Sequence, residues 1–210
     1  MASRELARAG DWGLSPATIR SELLRLDELG YLEQLHTSAG RIPTDKGYRF
    51  FVDHLLGEVE LDAGEEALIR QVFAIGDAEE FIREFTKTIS RIAGAFAAAG
   101  TEDEDLFYEN GFAEILREPE FSEPRRAQAF GRLADFLDEE LRRVLPYLEE
   151  ENERIWIGEE NPWKEARQYA MILSSWEHPS GFRGFLSIIG PRRTNYSKHK
   201  AIIRRIRSAI

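Results

Sequence analysis

SPATIRSELLRLDELGYLEQLHTSAGRIPTDKGYRFF, residues 15–51, is the stretch from which the fold of this chain is read. Ser15 is a good N-cap, and Pro16 suits the first helical position, where no N–H is needed. Gly30 supplies a stop after Leu29. Between them Ile19, Leu23, Leu26 and Leu29 recur at helical spacing and predict one buried stripe. At about 100° per residue the opposite arc carries Ala17, Thr18, Arg20, Ser21, Leu24 and Arg25. Small residues let a helix approach base edges, hydroxyls bond bases or phosphates, and Arg reads guanine bidentately. Asp27 and Glu28 fall at the far end, which is expected to point away from a nucleic acid. Taken alone, the pattern is equally that of an ordinary amphipathic surface helix.

The residues that follow add a hairpin. Tyr31 to Leu35 has strand character, and Arg41-Ile42-Pro43 supplies the returning strand, closed by Pro43. His36, Thr37, Ser38, Ala39, Gly40 and Arg41 form a hydroxyl-rich, cationic tip, suited to a phosphate backbone or a minor groove. A solvated turn is the alternative for this tip. Thr44 then caps a helix with Lys46, Tyr48 and Arg49 on its first turns and Phe51, Val52 and Leu55 for the core. Helix, hairpin and helix in this order are what a winged helix-turn-helix uses to set one helix in a major groove and a loop beside it. The candidate DNA-binding residues are therefore Ser15, Ala17, Thr18, Arg20, Ser21, Arg25, His36, Thr37, Ser38, Arg41, Lys46, Tyr48 and Arg49.

Charge has to be mapped before it is interpreted, because the net value of −10 looks wrong for a DNA partner. Residues 1–50 hold 7 Lys/Arg against 7 Asp/Glu, and residues 191–210 hold 7 Lys/Arg and no acid. The acidic excess lies in between. Charges more than about 8 Å away are largely screened at physiological salt, so an acidic body elsewhere need not prevent local phosphate contact. The chain has 210 residues, 42% of them hydrophobic, enough for one medium domain or two small ones. No run reaches the roughly 20 apolar residues of a membrane span, and no leader pattern opens the chain. Without cysteine there is neither a disulfide scaffold nor a thiolate metal site. A cytoplasmic protein without membrane contact is expected.

Further along, Asp62 to Gly76 and Glu79 to Ala99 have helical periodicity, and Gly100 to Asp105 reads as an exposed acidic joint. A helix is predicted from about Glu123 to Val144. Arg154 to Ile157, Tyr169 to Trp176 and Phe182 to Ile189 read as strands. Asn161 is predicted to cap a short helix opened by Pro162, and Gly190-Pro191 to break the last strand before Thr194 or Asn195 opens a basic helix. The four histidines, His36, His54, His178 and His199, lack metal-ligand spacing, and no nucleophile–base motif accompanies Ser174-Ser175. No enzyme, metal or cofactor is expected. Trp156, Trp163 and Trp176 are core aromatics on this reading, with pocket walls as the alternative.

The run LSPATIRSELLRLDELGYLEQLHTSAGRIPTDKGYRFFVDHLL closely resembles the N-terminal region of the HrcA family of heat-inducible transcription repressors. IWIGEENPWKEARQYAMILSSW followed by GFLSIIGPRRTNYSKHKAII is similar to that family's closing GAF-like segment, and YENGFAEILREPEF matches more loosely. The resemblance implies an α+β protein: an N-terminal winged helix-turn-helix, incomplete here, then a helical segment and a reduced GAF-like α+β domain. It implies a DNA-binding domain over residues 1–57, connecting helices over 58–100, and the GAF-like domain over 101–210 with a helical insertion at about 112–150. It also implies repression of heat-shock (chaperone) genes through an inverted-repeat operator, a homodimer, and tuning by the chaperonin GroEL.

Two departures accompany it. The family's first helix is expected before Ser3-Arg4-Glu5-Leu6-Ala7-Arg8, where this chain has only Met1-Ala2. The long middle section with its dimerisation insert is expected between Arg91-Ile92-Ala93-Gly94 and Tyr108-Glu109-Asn110-Gly111, where only a short spacer stands. A degenerate relative without DNA binding, acting in protein interaction or ligand sensing, is the alternative function. An RNA-binding module fits less well, since no aromatic stacking platform accompanies the basic residues.

Overall fold

The computed structural model describes residues 5–6, 9–10, 13–34, 40–102, 105–144 and 153–208. These divide into two compact units, Met1–Leu56 and Gly57–Ile210. In the first, helix α1 (Pro16–Glu28) is followed by an antiparallel pair, β1 (Leu32–Gln34) and β2 (Arg41–Pro43), then by α2 (Asp45–Phe50) and a π-helical turn (Phe51–Leu55). The Ser15 side chain accepts the Thr18 N–H and Pro16 holds the first helical position, so α1 begins where its cap requires.

The second unit is mixed helix and sheet. Helices α3 (Ala63–Val72) and α4 (Ala78–Ala93) precede strands β3 (Phe96–Thr101) and β4 (Phe107–Asn110). Short helix α5 (Phe112–Leu116), α6 (Pro124–Ala134) and α7 (Leu137–Val144) follow, then β5 (Glu153–Ile157), β6 (Tyr169–Glu177), β7 (Arg183–Pro191) and α8 (Tyr196–Arg207). The sheet order is β4-β3-β7-β6-β5 with every neighbouring pair antiparallel, a topology consistent with a GAF-like domain.

Alternation along the strands sends side chains to two covered faces. On one, Phe96, Ala98, Met171, Leu173, Phe185 and Ile189 meet Phe130, Leu133, Leu137 and Leu141 from α6 and α7. On the other, Trp176 meets Phe81 and Phe85 of α4, and α8 packs alongside through Ile202, Ile203 and Ile206. The helices of residues 58–100 thus belong to the same unit as the sheet.

Several expectations are corrected. The helix predicted through Ala99 ends at Ala93, because Gly94 takes φ 62° and accepts no further turn. Phe96 to Thr101, alanine-rich and helix-favouring in isolation, becomes a strand because β4 and β7 pair with both its edges. Gly100 and Thr101, expected in an exposed joint, are buried in that strand, and the expected boundary at residue 100 falls inside it. The predicted helix Glu123–Val144 is two helices broken at Asp135-Phe136, and the break turns both apolar faces onto one sheet face. Asn161 does not open a helix at Pro162; it closes the 3-10 turn Gly158–Glu160, and the next such turn, Lys164–Ala166, starts from Trp163. Asn161 Nδ2 donates to the Gly158 and Tyr169 carbonyls at 2.9 and 3.1 Å, tying the turn after β5 to the start of β6. Trp176 is core. Trp163 lies at the edge, half-buried, with its indole N–H donating to Glu140 at 2.6 Å.

Two of the titratable groups that this unit covers bear on its stability. His199 on α8 is 1% exposed, with Nε2 3.3 Å from the Ala93 carbonyl, and burial holds its pKa down at about 4. Glu109 on β4 points to the same face as Ala98, and Oε1 is buried without a hydrogen bond. Burial, with Asp135 and Asp138 adding their charges, pushes its pKa up to about 7.

Candidate nucleic-acid interface

The outward arc of α1 is open. Ala17, Thr18, Arg20, Ser21, Leu24 and Arg25 are all exposed, as the helical spacing predicts. Two of the hydroxyls have local work: Ser15 Oγ lies 2.9 Å from Thr18 Oγ1 and accepts the Thr18 N–H at 3.1 Å. They hold the first turn. Ala17, Arg20, Ser21 and Arg25 are the members of the predicted set that this arc presents together.

The basic residues after the helix are arranged differently. Arg41, expected at the hairpin tip facing solvent, turns inward and donates from Nε to Asp27 Oδ2 at 2.8 Å. Lys46 donates from Nζ to the Leu29 carbonyl at 2.8 Å and lies 4.4 Å from the centre of the Tyr31 ring. An ammonium at that place meets the negative end of the α1 dipole. Arg49 pairs with Asp53 one turn on, at 3.2 Å, and Tyr48 is half-buried on α2. His36, Thr37 and Ser38 lie outside the described residues.

The apolar stripe of α1 is corrected as well. Ile19 is buried and Leu23 half-buried, but Leu26 is 39% and Leu29 50% exposed. Phe51 and Leu55, expected in a core, are 40% and 61% exposed. Among the described residues these exposed side chains lie on α1 and on the π-helical turn that follows α2, and neither element buries them.

Sequence reasoning missed two residues here. Asp27 was placed on the end facing away, yet it holds Arg41. Gly47, unremarked within KGYR, sits where a Cβ would overlap the Tyr31 carbonyl oxygen, so only glycine lets α2 approach the hairpin. An acid at the end of a helix before a hairpin whose returning strand opens with Arg was the available signal for the first; the second had none.

The C-terminal cations are committed within their own unit. Arg193 bonds Glu118 and Glu120, Lys198 bonds Glu65 at 2.6 Å, Lys200 pairs with Glu153 at 3.2 Å, and Arg204 donates to the Val59 carbonyl at 2.6 Å. The basic run of residues 191–210 is therefore largely a set of internal clamps. Among the described residues no group of three His, Asp or Glu is placed to hold a metal ion, and no helix is long and apolar enough to cross a membrane.

A helix–hairpin–helix unit joined to an α+β unit with a five-stranded antiparallel sheet is the class of protein these elements define. A crystal structure of a hypothetical protein, 16% identical, has that fold with a TM-score of 0.73, the match covering 100% of this chain and 91% of the other. The family model for the HrcA protein C-terminal domain matches residues 48–199. The heat-inducible transcription repressor HrcA of Symbiobacterium thermophilum is 49% identical over 90 residues, 42% of this chain and 26% of the relative. The repressor of the same name from Bacillus pumilus is 39% identical over 126 residues, 60% of this chain and 32% of the relative. This chain belongs to the HrcA family. Its matched part spans only about a quarter to a third of the length of these curated relatives.

Proposed function

We propose that this chain is a DNA-binding transcriptional repressor of heat-shock genes that acts on an inverted-repeat operator. In this reading α1 is the recognition helix of a winged helix-turn-helix and the β1–β2 hairpin is its wing. The observation that carries it is the open arc of Ala17, Arg20, Ser21 and Arg25, on a helix capped at one end and pinned at the other. The similar proteins of Symbiobacterium thermophilum and Bacillus pumilus, heat-inducible transcription repressors, support the same reading. Small residues let this arc approach base edges, and its two guanidiniums suit guanine or phosphate.

An inverted repeat presents two half-sites, so two copies of the chain bind it, and a homodimer in solution is part of the proposal. The chaperonin GroEL enters as the partner that the family resemblance implies. The second unit serves as the GAF-like body that carries the DNA-binding unit.

The test is binding of the full chain to an inverted-repeat duplex from upstream of its own chaperone genes, against a scrambled duplex, over a range of salt. Specific binding is expected, with a log–log slope of about −0.9 per phosphate contact. Arg20→Ala should relax base preference at one position by about 1–3 kcal/mol. Equal affinity for both duplexes would sink the repressor reading and favour a relative that no longer reads DNA.

A further inference from the structure

Three side chains from beyond α1 converge on its final turn and the residues that close it. Arg41 Nε donates to Asp27 Oδ2 at 2.8 Å, Lys46 Nζ to the Leu29 carbonyl at 2.8 Å, and Thr44 Oγ1 to the Gly30 carbonyl at 2.7 Å. The backbone adds two more ties, Tyr31 N–H to the Leu26 carbonyl at 2.9 Å and Thr44 N–H to the Tyr31 carbonyl at 3.0 Å. Lys46 at this helix end gains from the dipole, whereas an unpaired Asp27 would lose by it. Arg41 resolves that conflict.

The hairpin needs such a tie. Among the described residues its ladder has the pairs Leu32↔Pro43, Glu33↔Ile42 and Gln34↔Arg41, and an isolated two-stranded hairpin is marginal in water. Arg41 forms the pair at the far end of the described ladder, so whatever fixes Arg41 fixes that end of the hairpin against α1. The Arg41 side chain is 16% exposed and Asp27 33%, so solvent and salt weaken this pair less than they weaken an exposed one. With Nε donated to Asp27, the Arg41 guanidinium is oriented by α1.

We propose that Asp27 and Arg41 form a positioning strut that sets the angle of the β1–β2 hairpin against α1, with Arg41 acting through Asp27 and not as a phosphate ligand. The strut rests on the DNA-binding reading given above and assigns different work within it. Base and phosphate contact falls to Arg20 and Arg25, while Arg41 and Lys46 hold the frame.

The experiment combines two measurements on the full chain. The first is affinity for the inverted-repeat and scrambled duplexes across salt for Asp27→Asn, Arg41→Ala and the exchanged pair Asp27→Arg/Arg41→Asp. Each single variant should weaken inverted-repeat binding by about tenfold with the salt slope unchanged. The exchanged pair should recover to within about threefold of the starting affinity. The second is side-chain N–H exchange by NMR without DNA: Arg41 Nε–H should exchange slowly and speed up by about tenfold or more in Asp27→Asn.

The strut is overturned if Asp27→Asn binds as well as or better than the parent while Arg41→Ala weakens both duplexes and reduces the salt slope by about 0.9. That outcome makes Arg41 a phosphate ligand. Should Arg41→Ala lose the hairpin altogether, the exchanged pair decides, and its failure to recover binding overturns the strut. Failure of the DNA-binding reading is separately visible. The parent chain would then bind both duplexes alike, while the exchange rate of Arg41 Nε–H still decides whether the strut exists.

Discussion

The two units of this chain are held together by different forces. Around Phe81 in the second unit lie Phe73, Phe85, Trp176, His178 and Phe182, with ring centroids 4.6–5.4 Å from it and Phe81 itself fully buried. Around the last turn of α1 in the first unit lie a carboxylate, two cations and a threonine hydroxyl, while Leu26 and Leu29 on the same turn face water. Burial of aromatic area is non-directional and scales with what is removed from water. Hydrogen bonds and ion pairs are directional, individually worth about 1 kcal/mol, and fix angles better than they add stability. The second unit is thus built to be stable, and the first to hold one helix and one hairpin at a set angle.

The sharpest way to break this comparison is a core truncation. Phe81→Ala should cost about 3–5 kcal/mol in chemical denaturation followed by tryptophan fluorescence, since Trp176 packs on Phe81. Leu29→Ala, at half-exposed Leu29, should change the same midpoint little, by under about 1 kcal/mol. Comparable losses from the two variants would show that the first unit has a buried core after all.

Proton linkage gives the next largest effect. His199 is neutral when folded down to a pKa of about 4, against 6.5 for the free group, so the unfolded chain binds more protons between those values. Its contribution is complete above pH 6.5 and falls away as pH drops through that window, by about 3 kcal/mol at the bottom. Denaturation at pH 7.5 and at pH 4.5 should show most of this loss, and His199→Gln should flatten it. An unchanged profile in that variant would assign the acid sensitivity elsewhere.

Gly47→Ala sharpens the comparison from the other side. Overlap of the added methyl with the Tyr31 carbonyl should cost the first unit about 1–3 kcal/mol and loosen α2 from the hairpin. Amide exchange should accelerate at Thr44 and Tyr48 and stay unchanged in β6 and β7. Spread of the effect into those strands would show the two units to be one cooperative body.

Glu109 gives the smallest effect and the opposite pH sign. Its raised pKa means that the folded protein holds a proton longer, so stability falls as pH rises from 4.5 to about 7 and is flat beyond. Solvent reaches part of this carboxyl, so screening reduces the effect to about 1 kcal/mol. Glu109→Gln should stabilise the protein at pH 8 and leave it unchanged at pH 4. Equal stabilisation at both values would implicate packing instead of charge.

Much of this was legible before any coordinates. Ser15 and Pro16 locate the start of α1, the strand character of Tyr169–Trp176 locates β6, and Thr194 or Asn195 locates α8, because caps and residue preferences act over a few residues. What was misread depended on distant partners. Phe96-Ala97-Ala98-Ala99 favours helix until β7, some ninety residues later, pairs with it. Arg41 looks like a free cation until Asp27, fourteen residues earlier, is brought beside it.

The amino-acid sequence by itself determined the order of helix, hairpin and helix and the open arc of α1, which follow from local spacing and capping, and it carries the motifs by which the family is recognised. Only the tertiary structure decided which cations of the first unit are tied to neighbours, as Arg41 is to Asp27, Lys46 to the Leu29 carbonyl and Arg49 to Asp53. The reason is physical. A charge's availability depends on what lies within a few ångströms of it, and neighbours at that range are set by folding, not by position along the chain.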